Sequence, residues 1–247
     1  QADNPEPIAE FVDLVVIGDG EESLPAILAA YRELKAGGVR RRDMIEIMAR
    51  RFPWLYAPNL YRVRYGPAGA VAEVAPRSAG AATAGGGGAT WAIERCRTSD
   101  FENAPVPLRP IVPHTETVHD RMAIEIMRGC PQRCLFCHAG RTKRPVLVRS
   151  VDKILELAEE QYRATGYDEL GLLSLSTSDY PQLKELAARI NDQFAARHVS
   201  ISVPSLRVDQ MLRDVPWMTR SVRKSGLTIA VEAASERLRT AIRKKVT

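Results

Sequence analysis

With 247 residues, 45% of them hydrophobic and 26% charged, the chain can bury a sizeable core as one large domain or two modest ones. No run approaches the ~18–20 apolar residues that cross a bilayer and no signal-peptide pattern opens the chain, so a cytoplasmic protein with no membrane partner is expected. A net charge of +5 permits an anionic partner without demanding one.

Both ends read as cuts through a longer protein, from a polar start at Gln1 to an abrupt end at Thr247. Phe11 to Ile17 is an apolar run with β-branched residues, the pattern of a buried parallel strand. Gly18 to Ser23 turns the chain, and Leu24 to Leu34 has helical periodicity ended by Gly37-Gly38. A second short helix is expected over Arg42 to Arg51, then a loop from Pro53 leading to a strand by Arg64.

Residues 65–113 read as a linker. Ser78 to Thr90 is almost wholly Ala, Gly, Ser and Thr, and buries too little to offset its ordering entropy. Prolines at 105, 107, 110 and 113 then make an extended connector.

From His119 onward the pattern alternates. Strands are expected at Met122–Met127, Asp168–Leu175, Val199–Val203 and Leu227–Val231. Helices are expected at Val151–Thr165, Gln182–Arg197, Leu206–Lys224 (broken at Pro216) and Ser235–Lys244. Repeated βα units imply a parallel sheet, and a run that stops at four implies a fragment of a larger barrel.

The chemistry concentrates in Arg128-Gly-Cys-Pro-Gln-Arg-Cys-Leu-Phe-Cys-His138, just past the first of those strands, where parallel sheets place their sites. Three of the four cysteines, Cys130, Cys134 and Cys137, lie within eight residues. A disulfide scaffold would spread its cysteines along a small secreted chain, so this local cluster asks for a metal. Zinc would need a fourth ligand from His138 or Cys96, but adjacent residues rarely reach one ion together, and paired C-x2-C units are missing. Three ligands suit a cubane with one open iron. Cys96 reads as a lone thiol, and His114 and His119 as structural. Between Arg128 and Arg149, six basic residues (Arg128, Arg133, Arg141, Lys143, Arg144, Arg149) occur with no acidic one. They make either a solvated loop or a positive rim.

The C-x3-C-x2-C spacing after a strand resembles the radical-SAM superfamily over roughly residues 111–247. The resemblance implies a [4Fe–4S] cluster on Cys130, Cys134 and Cys137, with S-adenosylmethionine chelated to the fourth iron and cleaved by one-electron reduction to a 5′-deoxyadenosyl radical. It implies a ring at Phe136 against adenine, Ser176, Ser178 and Asp179 at the methionine ammonium, Arg207 at the carboxylate, and Glu232 near the ribose. The bland alternatives are a hydrophobic plug at Phe136, helix capping by the serines before Pro181, and exposed surface at Arg207 and Glu232. An electron donor such as flavodoxin or ferredoxin and an unknown substrate are further implied partners.

Asp13-Leu-Val-Val-Ile-Gly-Asp-Gly-Glu21, with Glu125–Cys130, Gly166–Glu169, Leu173–Pro181 and Val203–Arg207, resembles an uncharacterised group with an upstream cobalamin-binding-type domain. The implied fold class is α/β: the end of a Rossmann-like cobalamin-binding domain with a helical extension (1–64), the linker (65–113) and the first part of a radical-SAM barrel (114–247). Methyl, methylthio or related group transfer is the implied use. The Asp-x-His-x-x-Gly motif that ligates cobalt is missing, so cobalamin has no visible ligand. The competing reading is a zinc-stabilised nucleic-acid-binding module built on the basic loop.

Overall fold

The computed structural model describes residues 4–77, 93–115, 117–203 and 230–244. It divides into two compact units, Gln1–Asp100 and Phe101–Thr247.

In the first unit the expected strand over Phe11–Ile17 is mostly absent. Pro5 and Pro7, with their fixed φ, start a 3-10 turn over Glu6–Phe11 that consumes the front of that run and leaves Phe11 87% exposed. Only β1 (Val15–Val16) remains, and it pairs antiparallel with β2 (Leu55–Tyr56), not parallel. The turn after β1 needs a glycine. At Gly18, φ is +125°, and a Cβ there would lie 2.0 Å from the Cys96 carbonyl oxygen. Cys96 is thereby buried against Gly18, with its N–H donating to the Ile17 carbonyl at 2.8 Å. Burial, and next the charge of Glu22, push its thiol pKa up.

Helices α1 (Gly20–Ala36) and α2 (Arg41–Arg51) follow as expected, with Ala30, Met48 and Ala49 buried. The strand expected at the end of the Pro53–Arg64 stretch is β3 (Tyr61–Tyr65), and it pairs antiparallel with β4 (Val71–Pro76), which stands inside the stretch read as linker. The alternation Tyr61, Val63, Tyr65 and a turn closed by Gly69 at φ +74° carry this hairpin. The neighbouring Ala/Gly tract masked the signal of β4.

The second unit has a parallel sheet ordered β5–β8–β9, with β5 at Met122–Glu125, β8 at Glu169–Leu173 and β9 at Ser200–Ser202. A short antiparallel pair, β6 (Met127–Arg128) and β7 (Leu147–Val148), brackets the cysteine segment, which holds the small helix α3 (Ala139–Thr142). Helix α4 (Val151–Thr165) begins at Ser150, whose Oγ accepts from the Lys153 N–H at 3.2 Å. It ends at Gly166, left-handed at φ +70°. Its face of Val151, Ile154, Leu155 and Ala158 packs with Leu186, Ile190 and Phe194 of α5 (Leu183–Phe194) and with Met122, Ile124, Leu170 and Leu172 of the sheet.

This is the expected alternation of parallel strands and helices through β9. The broken helix expected over 206–224, with Arg207, lies outside the described residues, as does most of the strand expected at 227–231. The last helix, α6 (Glu236–Ala241), is shorter than expected, and Ser235 caps it by accepting from the Leu238 N–H at 3.3 Å.

Candidate functional site: the cysteine loop and the β8 edge

Strand β5 delivers the chain into β6, and pairing of Met127 with Val148 and Arg128 with Leu147 closes the neck of a loop. Just inside the neck, Gly129 adopts φ +91°, and a Cβ there would lie 2.6 Å from the Lys143 carbonyl oxygen. Only glycine lets the two legs approach so closely. Cys130 follows and is buried, whereas Cys134 and Cys137 are partly exposed; all three thiols are free.

Arg144 braces the loop from within. Its guanidinium donates to the carbonyls of Gly140 (2.8 Å), Pro131 (2.9 Å) and Gln132 (3.1 Å). Cys134 and Cys137 sit on one turn, where the Cys137 N–H donates to the Cys134 carbonyl at 3.2 Å.

The end of β8 faces the same loop. Ser176, Thr177 and Ser178 are buried. Asp179 accepts from Ser176 Oγ at 2.6 Å and from Gln132 Nε2 at 2.9 and 3.0 Å. Ser174 and Thr177 hydroxyls lie 2.9 Å apart. Cys130 feels this neighbourhood: burial pushes its thiol pKa up, the Gln132 backbone N–H opposes that, and the charges of Asp179, Cys137 and Cys134 add to it. The arrangement therefore brings the three cysteines, Ser176, Ser178 and Asp179 into one region. Ser176 makes no side-chain capping bond to the short 3-10 turn it precedes, so its hydroxyl serves Asp179 instead.

A third element reaches the loop. The Leu135 N–H donates to the Ile242 carbonyl at 3.0 Å, just after α6. Lys244 Nζ pairs with Glu232 at 3.3 Å and stands 5.9 Å from the centre of the Phe136 ring. Glu232 holds a left-handed backbone at φ +63°, uncommon for a residue with a Cβ. Phe136 is 52% exposed, so it does not act as a buried plug.

The basic rim is half what the sequence implied. Arg128 turns to Glu125 at 3.0 and 2.7 Å, and Arg144 is spent on carbonyls. Arg149 is only 1% exposed and lies, like Arg128, against the ring of Phe101, with centroid distances of 4.8 and 5.0 Å. Arg133 and Arg141 remain exposed.

Residues 124–247 match the family model described as "Radical SAM superfamily", and residues 1–58 match "Radical SAM proteins, N-terminal". The chain belongs to the radical SAM superfamily. It is also 38% identical over 123 residues to "Uncharacterized protein MJ0966" of Methanocaldococcus jannaschii, a stretch covering 50% of this chain and 26% of that protein. The chain therefore spans about a quarter of the length of the curated relative it matches.

Radical SAM membership implies an enzyme with a [4Fe–4S] cluster and S-adenosylmethionine. The donor set fits such a group: three thiols on one loop at the carboxyl edge of a parallel sheet, with polar side chains opposite. Among the described residues, no three or more His, Cys, Asp or Glu side chains stand close enough together to hold one metal ion. His138 is exposed.

Sequence reasoning missed the contacts that Gln132, Arg144 and Lys244 make around the cysteine loop. Arg144 was visible only as loop charge, and pairing Gln132 with Asp179 needs the parallel β5–β8 register to bring the two strand ends together. No helix among the described residues is long and apolar enough to cross a membrane.

Proposed function

We propose that Cys130, Cys134 and Cys137 ligate a [4Fe–4S] cluster and that the protein cleaves S-adenosylmethionine reductively. The observation that supports this best is the closed loop of three thiols set against the Ser176–Asp179 edge of β8. When bound, the cluster supplies the electron that cleaves S-adenosylmethionine to methionine and a 5′-deoxyadenosyl radical.

The chain's own groups have distinct tasks in this reading. Asp179 carries the negative charge that attracts the methionine ammonium, and Ser176 and Gln132 hold its carboxylate in place. Ser178 lies buried at the same edge as a further polar contact. Phe136, exposed on the loop, offers its ring to adenine, while Glu232 accepts from the ribose hydroxyls and Arg207 pairs with the carboxylate. Lys244 pairs with Glu232 and lies beside the Phe136 ring.

The radical then serves group transfer, of methyl or methylthio type, on a metabolite or macromolecule, with flavodoxin or ferredoxin as reductant. Cobalamin is a possible further cofactor for which the present residues show no ligand. A nucleic-acid module built on the loop is disfavoured, because Arg128, Arg144 and Arg149 have structural tasks.

Anaerobic reconstitution followed by EPR after dithionite tests the reading. A reduced [4Fe–4S] signal that shifts on adding S-adenosylmethionine, and is lost in Cys134→Ala, is expected. A colourless protein carrying about one zinc would refute it.

A further inference from the structure

The N-terminal unit carries a concavity of its own, built from residues the cysteine chemistry does not use. A cavity of about 730 Å³ is lined by Arg41, Arg42, Asn59 and Arg77, together with Asp13 and Glu46. A smaller one of about 400 Å³ shares Asn59 and Arg77 with it. The walls of the smaller cavity include Phe11, Tyr56, Tyr61 and Tyr65, along with Glu6 and Glu10. Their sizes fall in the range that small-ligand sites occupy.

The charges are divided between the two ends. In the larger cavity both carboxylates are already matched: Asp13 accepts from Arg41 at 2.6 and 3.0 Å, and Glu46 from Arg50 at 2.5 Å. Arg42 makes no hydrogen bond or ion pair with any described residue. Arg77 uses only its Nε, which donates to the Tyr61 carbonyl at 2.8 Å. That bond fixes the direction of the guanidinium and leaves its terminal nitrogens free among the described residues. Guanidinium groups of the kind that Arg42 and Arg77 bring to the lining of this cavity are donors that bind a phosphate in a fork.

The other end is aromatic and acidic. Glu6 accepts from Tyr56 at 2.5 Å and from Tyr65 at 3.4 Å, and Glu10 has no partner among the described residues. Tyr65 is 52% exposed, so its ring can receive a flat partner. A phosphate would be repelled from these carboxylates, but a ring with N–H donors would be accepted.

We propose that this concavity binds a nucleotide, with its phosphate between Arg42 and Arg77 and an amino-bearing base on Tyr65 toward Glu6 and Glu10. S-adenosylmethionine has no phosphate, so this ligand is distinct from the one assigned to the cysteine loop. Asn59, common to both cavities, stands where the sugar passes.

Calorimetric titration of the full chain with AMP, adenosine and inorganic phosphate at low salt tests the proposal, since exposed charges are screened within about 10 Å at 0.1 M. AMP is expected to bind one per chain, at least about tenfold more tightly than adenosine or inorganic phosphate, from the charge-assisted bonds. Arg42→Gln and Arg77→Gln should each weaken AMP about tenfold, whereas Arg64→Gln, paired with Glu73 on the hairpin, should not. Tyr65→Ala should weaken AMP but not inorganic phosphate. Circular dichroism of the Arg77 variant checks that losing the Tyr61 bond has not unfolded the unit. The same titration on Cys134→Ala protein should be unchanged, which separates this site from cluster chemistry. AMP binding no tighter than inorganic phosphate, or an Arg64 effect equal to that of Arg42, would overturn the proposal. So would an oligoadenylate that binds far more tightly than AMP with a steep salt dependence, since that is nucleic-acid binding.

Discussion

The side-chain amide of Gln132 spans both oxygens of Asp179, at 2.9 and 3.0 Å, joining residues 47 apart in the chain. The middle of the cysteine loop is thereby tied to the end of β8, and Ser176 holds the same carboxylate from the other side at 2.6 Å. Hydrogen bonds to a charged group contribute about 1.5–3 kcal/mol each at most. This pair thus adds to the β6–β7 neck and to Arg144 in positioning the loop.

Replacing Gln132 by Leu should free the loop while leaving the β5–β8–β9 core intact. We expect a reconstituted cluster to bleach several-fold faster under a chelator, with global stability lowered by no more than about 1.5–3 kcal/mol. Visible absorbance against time, beside a denaturant titration, reads the two effects apart. Equal bleaching rates would show that Gln132 does not hold the loop.

Gly129 and Gly166 make a matched pair of backbone tests. Both have positive φ, +91° and +70°, but a Cβ at Gly129 meets the Lys143 carbonyl at 2.6 Å whereas one at Gly166 has nothing within 4 Å. Gly166→Ala should cost about 1–2 kcal/mol, the ordinary left-handed penalty. Gly129→Ala should cost more and should also lower the iron retained after reconstitution. Denaturation midpoints and iron content decide it; equal costs would mean that the neck relaxes freely.

Arg144 reaches three carbonyls with one planar fork, and a lysine cannot copy that geometry. Arg144→Lys should speed amide exchange in residues 131–143 while α4 and α5 keep their protection. Hydrogen-exchange mass spectrometry reads this directly. Unchanged loop protection would assign the bracing to the β6–β7 neck alone.

Tyr180 supplies a pH test. Its hydroxyl donates to the Arg149 carbonyl at 2.8 Å in a buried position, and burial, then the charges of Glu102 and Glu185, push its pKa up to about 12. The folded state keeps the neutral phenol where the unfolded chain ionises, near pH 10. The stabilisation is full below pH 10 and is lost as pH rises toward 12, by about 2 kcal/mol at the upper end. Tyr180→Phe should flatten that fall at the expense of one hydrogen bond at neutral pH, as denaturation across pH 9–12 would show.

The parts of this structure that the sequence revealed are those where local pattern and tertiary packing agree. Helix α4 is legible because Ser150, its apolar face and Gly166 all mark the same boundaries. The cysteine loop is legible as one local feature because its three thiols fall within eight residues of sequence. Phe11–Ile17 misled because two prolines upstream outweighed its β-branched residues. Strand β4 was hidden by the low-complexity tract that follows it. Within the site, Gln132 and Arg144 could not be assigned, since their partners are set by strand register and loop closure, which no periodicity reports.

The hydrogen bond from Leu135 to the Ile242 carbonyl, with Lys244 beside Phe136, has a bearing on biosynthesis. A ribosome releases the cysteines long before it releases α6. During that interval the loop has its neck and its Gln132 tether but not its contact with Ile242. The order of translation thus gives the nascent loop an interval in which it is held from fewer sides than in the finished fold.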